Sequence, residues 1–306
     1  MTAPRQVLAG TTYLVTRRCF QRQLLLRPCA QTNHVFLYVL AVAARRFGVR
    51  LHAFCVLSNH FHLVVTDPAA RLPAFEQYLD SLVARALNAS LGRWESFWAP
   101  SSYSAVALSA PDDIVDKAAY TLANPVAAGL VRRGQDWPGL WSRPEQLGST
   151  LSVKRPGAFF RQDGPMPESV DLELTAPPGF DAPADFSHRV AAALAVHEGR
   201  AATALASKGR GFLGPDKVLR QRPTARPLPD EPRRQLCPRV AGRDKWKRIE
   251  ALARLKRFLT AYRLAWTALK AGARDAVFPH GTYWVRVMLG ARCMAADGTA
   301  PALAPG

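Results

Sequence analysis

The sequence predicts an α+β protein, and three features carry that expectation. Strand-like and helix-like hydrophobic periods interleave over residues 1–150. Two apolar runs, 50–58 and 60–67, follow each other with almost no linker, so they should pair as a tight antiparallel hairpin turning at Ser58-Asn59. Beyond residue 185 the pattern becomes mainly helical and strongly basic.

Taken in order, the first half reads as a strand over about 7–18, a helix over 31–47 and the two hairpin strands. A helix over 73–91, a strand over 101–109 and a helix over 111–124 follow. The last helix begins at Pro111-Asp112-Asp113, where acidic groups meet the positive end of the helix dipole, and Pro125 is expected to close it. From Leu151 to Pro183 the prolines 156, 165, 167, 177, 178 and 183 punctuate a weak pattern. The expected organisation is therefore a domain over 1–150, an irregular linker over 151–185 and a basic, mainly helical domain over 186–306.

Within that second half a helix is expected over 186–207. The glycines of Lys208–Gly214 lack the preceding strand and the spacing of a nucleotide fingerprint, so a loop is expected there. A proline-rich stretch over 223–238 precedes a long helix over 244–271, and Gly281–Leu289 reads as a closing strand. On the long helix Leu252, Leu255, Leu259, Tyr262, Trp266 and Leu269 alternate spacings of three and four. Such a seam can join two copies into a homodimer, but fewer than three heptads favours packing on the helix's own domain.

Charge points to a nucleic-acid partner. Lys and Arg number 41 against 23 Asp and Glu, for a net +18, and the isoelectric point of about 10.5 is above that expected of a basic DNA-binding domain. An arginine-rich proteome explains the preference for Arg over Lys but not the excess over acids. Residues 1–150 carry 15 basic and 9 acidic side chains, net +6; residues 151–306 carry 26 and 14, net +12. Between Arg233 and Arg257 lie ten cations, two acids and Trp246. That mixture suits phosphate contacts with base stacking, and makes Arg243, Lys245, Lys247 and Arg248 candidate DNA contacts. The bland alternative is the solvated flank of a helix.

The longest apolar run, Val35–Ala44, is ten residues, too short for a membrane span, and no signal-peptide pattern is visible at the N-terminus. Cysteines 19, 29, 55, 237 and 293 show no metal-binding spacing and include an odd one, so a reduced cytoplasmic protein, associated with the nucleoid, is the expectation.

Two motifs carry chemistry. In Ser58-Asn59-His60-Phe61-His62-Leu63-Val64-Val65, strand alternation sends His60 and His62 to one face while Phe61, Leu63 and Val65 face a core. Two imidazoles on one pleated face are preorganised to grip a divalent metal; taken alone, so short a pattern favours a hydrogen-bonded pair on a solvated strand face. About sixty residues on comes Tyr120-Thr121-Leu122-Ala123-Asn124-Pro125-Val126-Ala127-Ala128-Gly129-Leu130-Val131. Ile114, Val115, Ala118, Ala119 and Leu122 form the apolar stripe of its helix, and Asp113, Asp116, Tyr120 and Asn124 fall on the polar side. Tyr120 and Asn124, four apart, share a face.

In order and spacing these segments resemble the REP-associated tyrosine transposases, a branch of the single-tyrosine HUH endonucleases. The family's P-N-H-x-H corresponds to Ser58–His62, and its Y-x-x-x-N-P-V-R-A-G-L-V to Tyr120–Val131. Tyr13-Leu14-Val15-Thr16, Phe47–Ala53 and Asp136-Trp137-Pro138 followed by Trp141-Ser142 add to the likeness, which spans about residues 10–145. The sequence departs from the family at Ser58 for proline, at Ala127 for arginine, and at Ser101-Ser102-Tyr103-Ser104 where the family has a basic stretch. The last two remove cations that would meet phosphates.

The resemblance implies a ferredoxin-like antiparallel sheet with helices over one face and the histidines on the open one. It implies that His60 and His62, with Asn124 as a third ligand, hold Mg2+ or Mn2+ against a scissile phosphate. Tyr120 would then attack single-stranded, hairpin-forming DNA to give a 5′-phosphotyrosyl intermediate and a free 3′-hydroxyl, which allows rejoining. A free phenol has a pKa of about 10 and needs help to lose its proton; Asp116, one turn before Tyr120, is a candidate helper. A non-catalytic binder of structured single strands and a metal-dependent hydrolase, to which Tyr120 is dispensable, remain as other classes.

Overall fold

The computed structural model describes residues 4–100, 103–227 and 238–299; Ser101, Ser102, Arg233, Arg234 and Cys237 lie outside them. The first half alternates as β1 (Thr11–Arg18), α1 (Ala30–Phe47), β2 (Arg50–Leu57), β3 (His60–Asp67), α2 (Leu72–Ser90), β4 (Ser104–Leu108) and α3 (Pro111–Ala127). β2 and β3 form the expected hairpin, with Leu57 opposite His60 across the Ser58-Asn59 turn. β1 pairs antiparallel with β3, setting Thr16 opposite His62, and with β4 on its other side.

Alternation along β3 sorts its side chains as the sequence pattern requires. Phe61, Leu63 and Val65 join Tyr13, Val15 and the inner stripes of α1 and α2 in one core. Val64 belongs to a second core on the opposite face, with Leu14, Ala53, Val106 and the α3 residues Ile114, Val115, Ala118, Ala119 and Leu122. The histidine face is therefore partly roofed by α3. Behind α3 lies α4 (Pro183–Ala206), which contributes Phe186, Val190 and Leu194 to the same core.

α3 runs through Pro125 to Ala127, past its expected end. Proline lacks the N–H that would meet the Thr121 carbonyl and its ring crowds that carbonyl, a local disruption that the last turn of the helix tolerates. Gly129, at φ 70°, ends the helix by entering the left-handed region, and the Gly129 and Leu130 amides cap the Val126 and Pro125 carbonyls.

The stretch expected to be irregular contains an antiparallel pair, β5 (Thr150–Lys154) and β6 (Ser169–Glu173). Its prolines fall between and after the two strands, so neither ladder is interrupted, and Val153, Val170 and Leu172 pack into the α1 side of the core. Then come α5 (Pro215–Leu219), β7 (Val240–Ala241), α6 (Lys245–Lys270), β8 (Val277–Phe278), α7 (Trp284–Leu289) and β9 (Arg292–Cys293). β7 adds parallel to β4, giving a five-stranded sheet of order β2-β3-β1-β4-β7.

The closing strand expected over Gly281–Leu289 is instead turn and helix. Burial there does not alternate: within α7 Val285 is buried while Val287, Met288 and Leu289 are exposed, and Gly290, at φ 62°, stops the helix. The C-terminal half of the α6 seam packs within the chain, with Tyr262, Trp266 and Leu269 against Phe278 and Val285, while Leu252 is exposed. No helix among the described residues is long and apolar enough to cross a membrane.

Candidate active site

Four residues expected to act together are brought together. His60 and His62 sit on the α3 side of β3 with ring centroids 4.9 Å apart. From α3, Tyr120 sets its ring edge-on to His62 at 5.7 Å between centroids, and the Asn124 Nδ2 lies 3.1 Å from His62 Nε2. Tyr120 is 39% exposed, so its ring can meet a ligand from solvent, whereas His62 and Asn124 are buried.

Each imidazole has its Nδ1 fixed by the protein. Asn59 Oδ1 accepts from His60 Nδ1 at 2.6 Å, and Thr16 Oγ1 bonds His62 Nδ1 at 2.8 Å. With the proton on Nδ1 in both rings, the lone pairs fall on the two Nε2 atoms, the arrangement a metal-binding imidazole needs. Burial holds both rings neutral: it depresses His60 to about 4, helped by Arg18, and His62 well below the ordinary value, helped by His60 and Arg18. A neutral imidazole keeps its lone pair free at neutral pH.

The donor set fits a divalent ion. Among the described residues no three His, Cys, Asp or Glu side chains cluster, so a metal would rest on the two Nε2 atoms and on Asn124. That amide donates to His62 here, and a flip would present its Oδ1. Two nitrogens and one amide oxygen would leave coordination positions open for phosphate oxygens and water.

Asp116, the candidate helper, is engaged by three other side chains. Its Oδ2 accepts from Lys117 Nζ at 3.0 Å, and its Oδ1 bonds His197 Nε2 at 3.1 Å and the Arg243 guanidinium. Burial opposes its ionisation, but the Lys117 and His197 hydrogen bonds and the Arg243 charge hold the carboxyl below its usual range. Lys117 in turn lies 5.6 Å from the Tyr120 ring centroid. Asp113, expected on the polar side of α3, is buried and accepts the Arg243 backbone N–H at 2.8 Å.

Of the expected DNA contacts, Lys245, Lys247 and Arg248 lie in the exposed first turn of α6 beside Trp246, which is 74% exposed. Arg243 is also exposed but ties α6 to α3. Sequence reasoning missed Lys117 and His197, and it named Thr16, Trp137 and Trp141 only as part of the family likeness; the two indoles bond the Val56 and Leu122 carbonyls and so brace β2 against α3. Thr16 could be found only through its register with His62; Lys117 was legible as the cation three residues before Tyr120.

No family profile matches the chain, and no curated protein matches it either. Solved structures do. A REP-associated tyrosine transposase bound to a REP hairpin is 20% identical, over 45% of this chain and 81% of that one, with a TM-score of 0.39. A candidate transposase from Deinococcus radiodurans R1 is also 20% identical, over 35% of this chain and 85% of its own, with a TM-score of 0.28. The chain's own elements give it a mixed α+β fold built on a mostly antiparallel sheet.

Proposed function

We propose that this chain is a tyrosine-transposase-like enzyme that cleaves and rejoins single-stranded, hairpin-forming DNA. The observation that carries the reading is the meeting of His60, His62, Asn124 and Tyr120, from segments sixty residues apart, with Tyr120 alone open to solvent among the last three. The Tyr120 oxygen attacks phosphorus as the bond to the 3′-oxygen breaks. The phenol proton passes to solvent, the 3′-oxygen takes one up, and the new phosphodiester on tyrosine preserves the energy for rejoining. His60, His62 and Asn124 would hold a divalent ion, which would supply Lewis-acid polarisation of a non-bridging phosphate oxygen. Asn59 and Thr16 orient the two imidazoles, and the exposed cations of α6 add phosphate contacts away from the chemistry.

The test is a denaturing gel of labelled hairpin-bearing single-stranded oligonucleotides incubated with the protein and Mg2+ or Mn2+. A protein-linked band that disappears in Tyr120→Phe supports the reading, since that change keeps the ring and removes only the nucleophilic oxygen. Cleavage without a linked band, unaffected by Tyr120→Phe, would make the protein a hydrolase. Binding with no cleavage under either metal would make it a binder of structured single strands.

A further inference from the structure

The geometry points to Lys117 as a further active-site residue: its ammonium contacts the phosphate that Tyr120 takes up, and Asp116, His197 and Arg243 hold it there. This rests on the phosphotyrosyl reading above.

Three observations combine. Lys117 Nζ is 5.6 Å from the Tyr120 ring centroid, on the same helix face one turn earlier. One of its three donors is spent on Asp116 at 3.0 Å, which leaves two for a ligand, and its side chain is 30% exposed. Asp116 would ordinarily repel a phosphate, but here it is compensated three ways. Lys117 comes from α3 itself, His197 from α4, and Arg243 from the turn before α6. The Asp116 carboxylate faces two permanent cations, so its own charge is more than offset even with His197 neutral. The carboxylate therefore acts as a holder for the cations.

The arrangement also assigns the C-terminal half a role in the chemistry. The Arg243 backbone N–H bonds Asp113 and its guanidinium bonds Asp116, so the chain entering α6 is clamped to the helix that bears the nucleophile. His197 and Arg243 are positioning residues, acting through Asp116. Lys117 touches the substrate, where an ammonium stabilises charge on the phosphorane oxygens without itself losing a proton.

The experiment compares wild type, Lys117→Met and Lys117→Arg in the full chain, using a labelled pool of random-sequence single-stranded oligonucleotides. Lost phosphate contact should make the slope of log affinity against log salt shallower by about 0.7 in Lys117→Met, and Lys117→Arg should restore it. At saturating DNA, formation of the protein-linked band should fall on the order of 10²-fold in Lys117→Met, the low end for removing one preorganised donor, and recover in Lys117→Arg. Arg243→Met should slow the linked band less, with a wild-type response to the Lys117→Arg change. Lys117→Gln replaces the Met variant if that fails to fold. An unchanged salt slope and an unchanged rate in Lys117→Met would overturn the inference, leaving Lys117 a helix charge stacked on a tyrosine. If wild type gives no linked band even with hairpin-bearing oligonucleotides and Mg2+ or Mn2+, the transposase reading fails, and the salt slope alone decides whether Lys117 meets phosphate.

Discussion

Phe61 and His62 are neighbours on one strand, and truncating each to alanine should have separable consequences. Phe61 is 0% exposed and makes edge-on contacts with Phe36 at 5.2 Å and Trp98 at 5.7 Å. Phe61→Ala removes a wholly buried ring from a core that α1 and the sheet cannot easily close, and should cost about 3 to 5 kcal/mol. His62 is also buried, at 5% exposure, so its removal is not free as a surface histidine's would be. It leaves the Thr16 hydroxyl and the Asn124 amide without their partner, at a cost of about 1 to 3 kcal/mol. Urea unfolding, followed by fluorescence and circular dichroism, measures both. The expected result is a clearly larger midpoint loss for Phe61→Ala, with slopes unchanged, while only His62→Ala loses metal-dependent covalent capture at a urea concentration where both variants are folded. Equal destabilisation, with capture intact in folded His62→Ala, would make the histidine a core strut and refute the metal reading.

Two further outcomes follow from the structure. His52, 2% exposed, donates from Nδ1 to the Thr175 carbonyl and accepts at Nε2 from Thr66, and burial depresses its pKa to about 4. Because the unfolded chain takes up this proton first, near pH 6.5, the contribution is present at neutral pH and is lost as pH falls from about 6.5 towards 4. Its size is about 3 kcal/mol at most, read as the difference in pH-dependent urea midpoints between wild type and His52→Gln; parallel profiles would exclude it. On α6, joint replacement of Lys245, Lys247 and Arg248 by glutamine should weaken single-strand binding and flatten its salt slope by about 2, at roughly 0.7 per phosphate contact, with thermal stability within about 0.5 kcal/mol of wild type. An unchanged slope would make the run a solvated helix flank. Side-chain replacement is the sharper test because truncation near Thr150 would also strip α4 from α3 and β7 from β4.

Period and punctuation in the sequence determined the elements of the first half and the faces of their side chains. The hairpin at Ser58-Asn59, the alternation that separates His60 and His62 from Phe61, and the buried stripe of α3 are local consequences of pleat and helical pitch, so they were legible. Where the sequence misled, the deciding force was not local. Pro125 marks a helix end by propensity, yet α3 continues because a packed last turn tolerates the local disruption. The prolines of 151–185 mask a hairpin because they lie outside its ladders, and the aromatic, β-branched Gly281–Leu289 stretch turns helical because its burial does not alternate.

The candidate site shows the same division. Residue types and spacing named His60, His62, Tyr120 and Asn124, because a strand pair and a helix i, i+4 pair fix the neighbours within each element. Only tertiary packing could lay α3 over β3 to bring Asn124 to His62, and only strand register could set Thr16 against its other nitrogen. Asp116 marks the limit: sequence placed it on the tyrosine's face, but its partners His197 and Arg243 arrive from 81 and 127 residues away. Such contacts depend on how whole elements dock, which hydrophobic burial decides, and no local period records it.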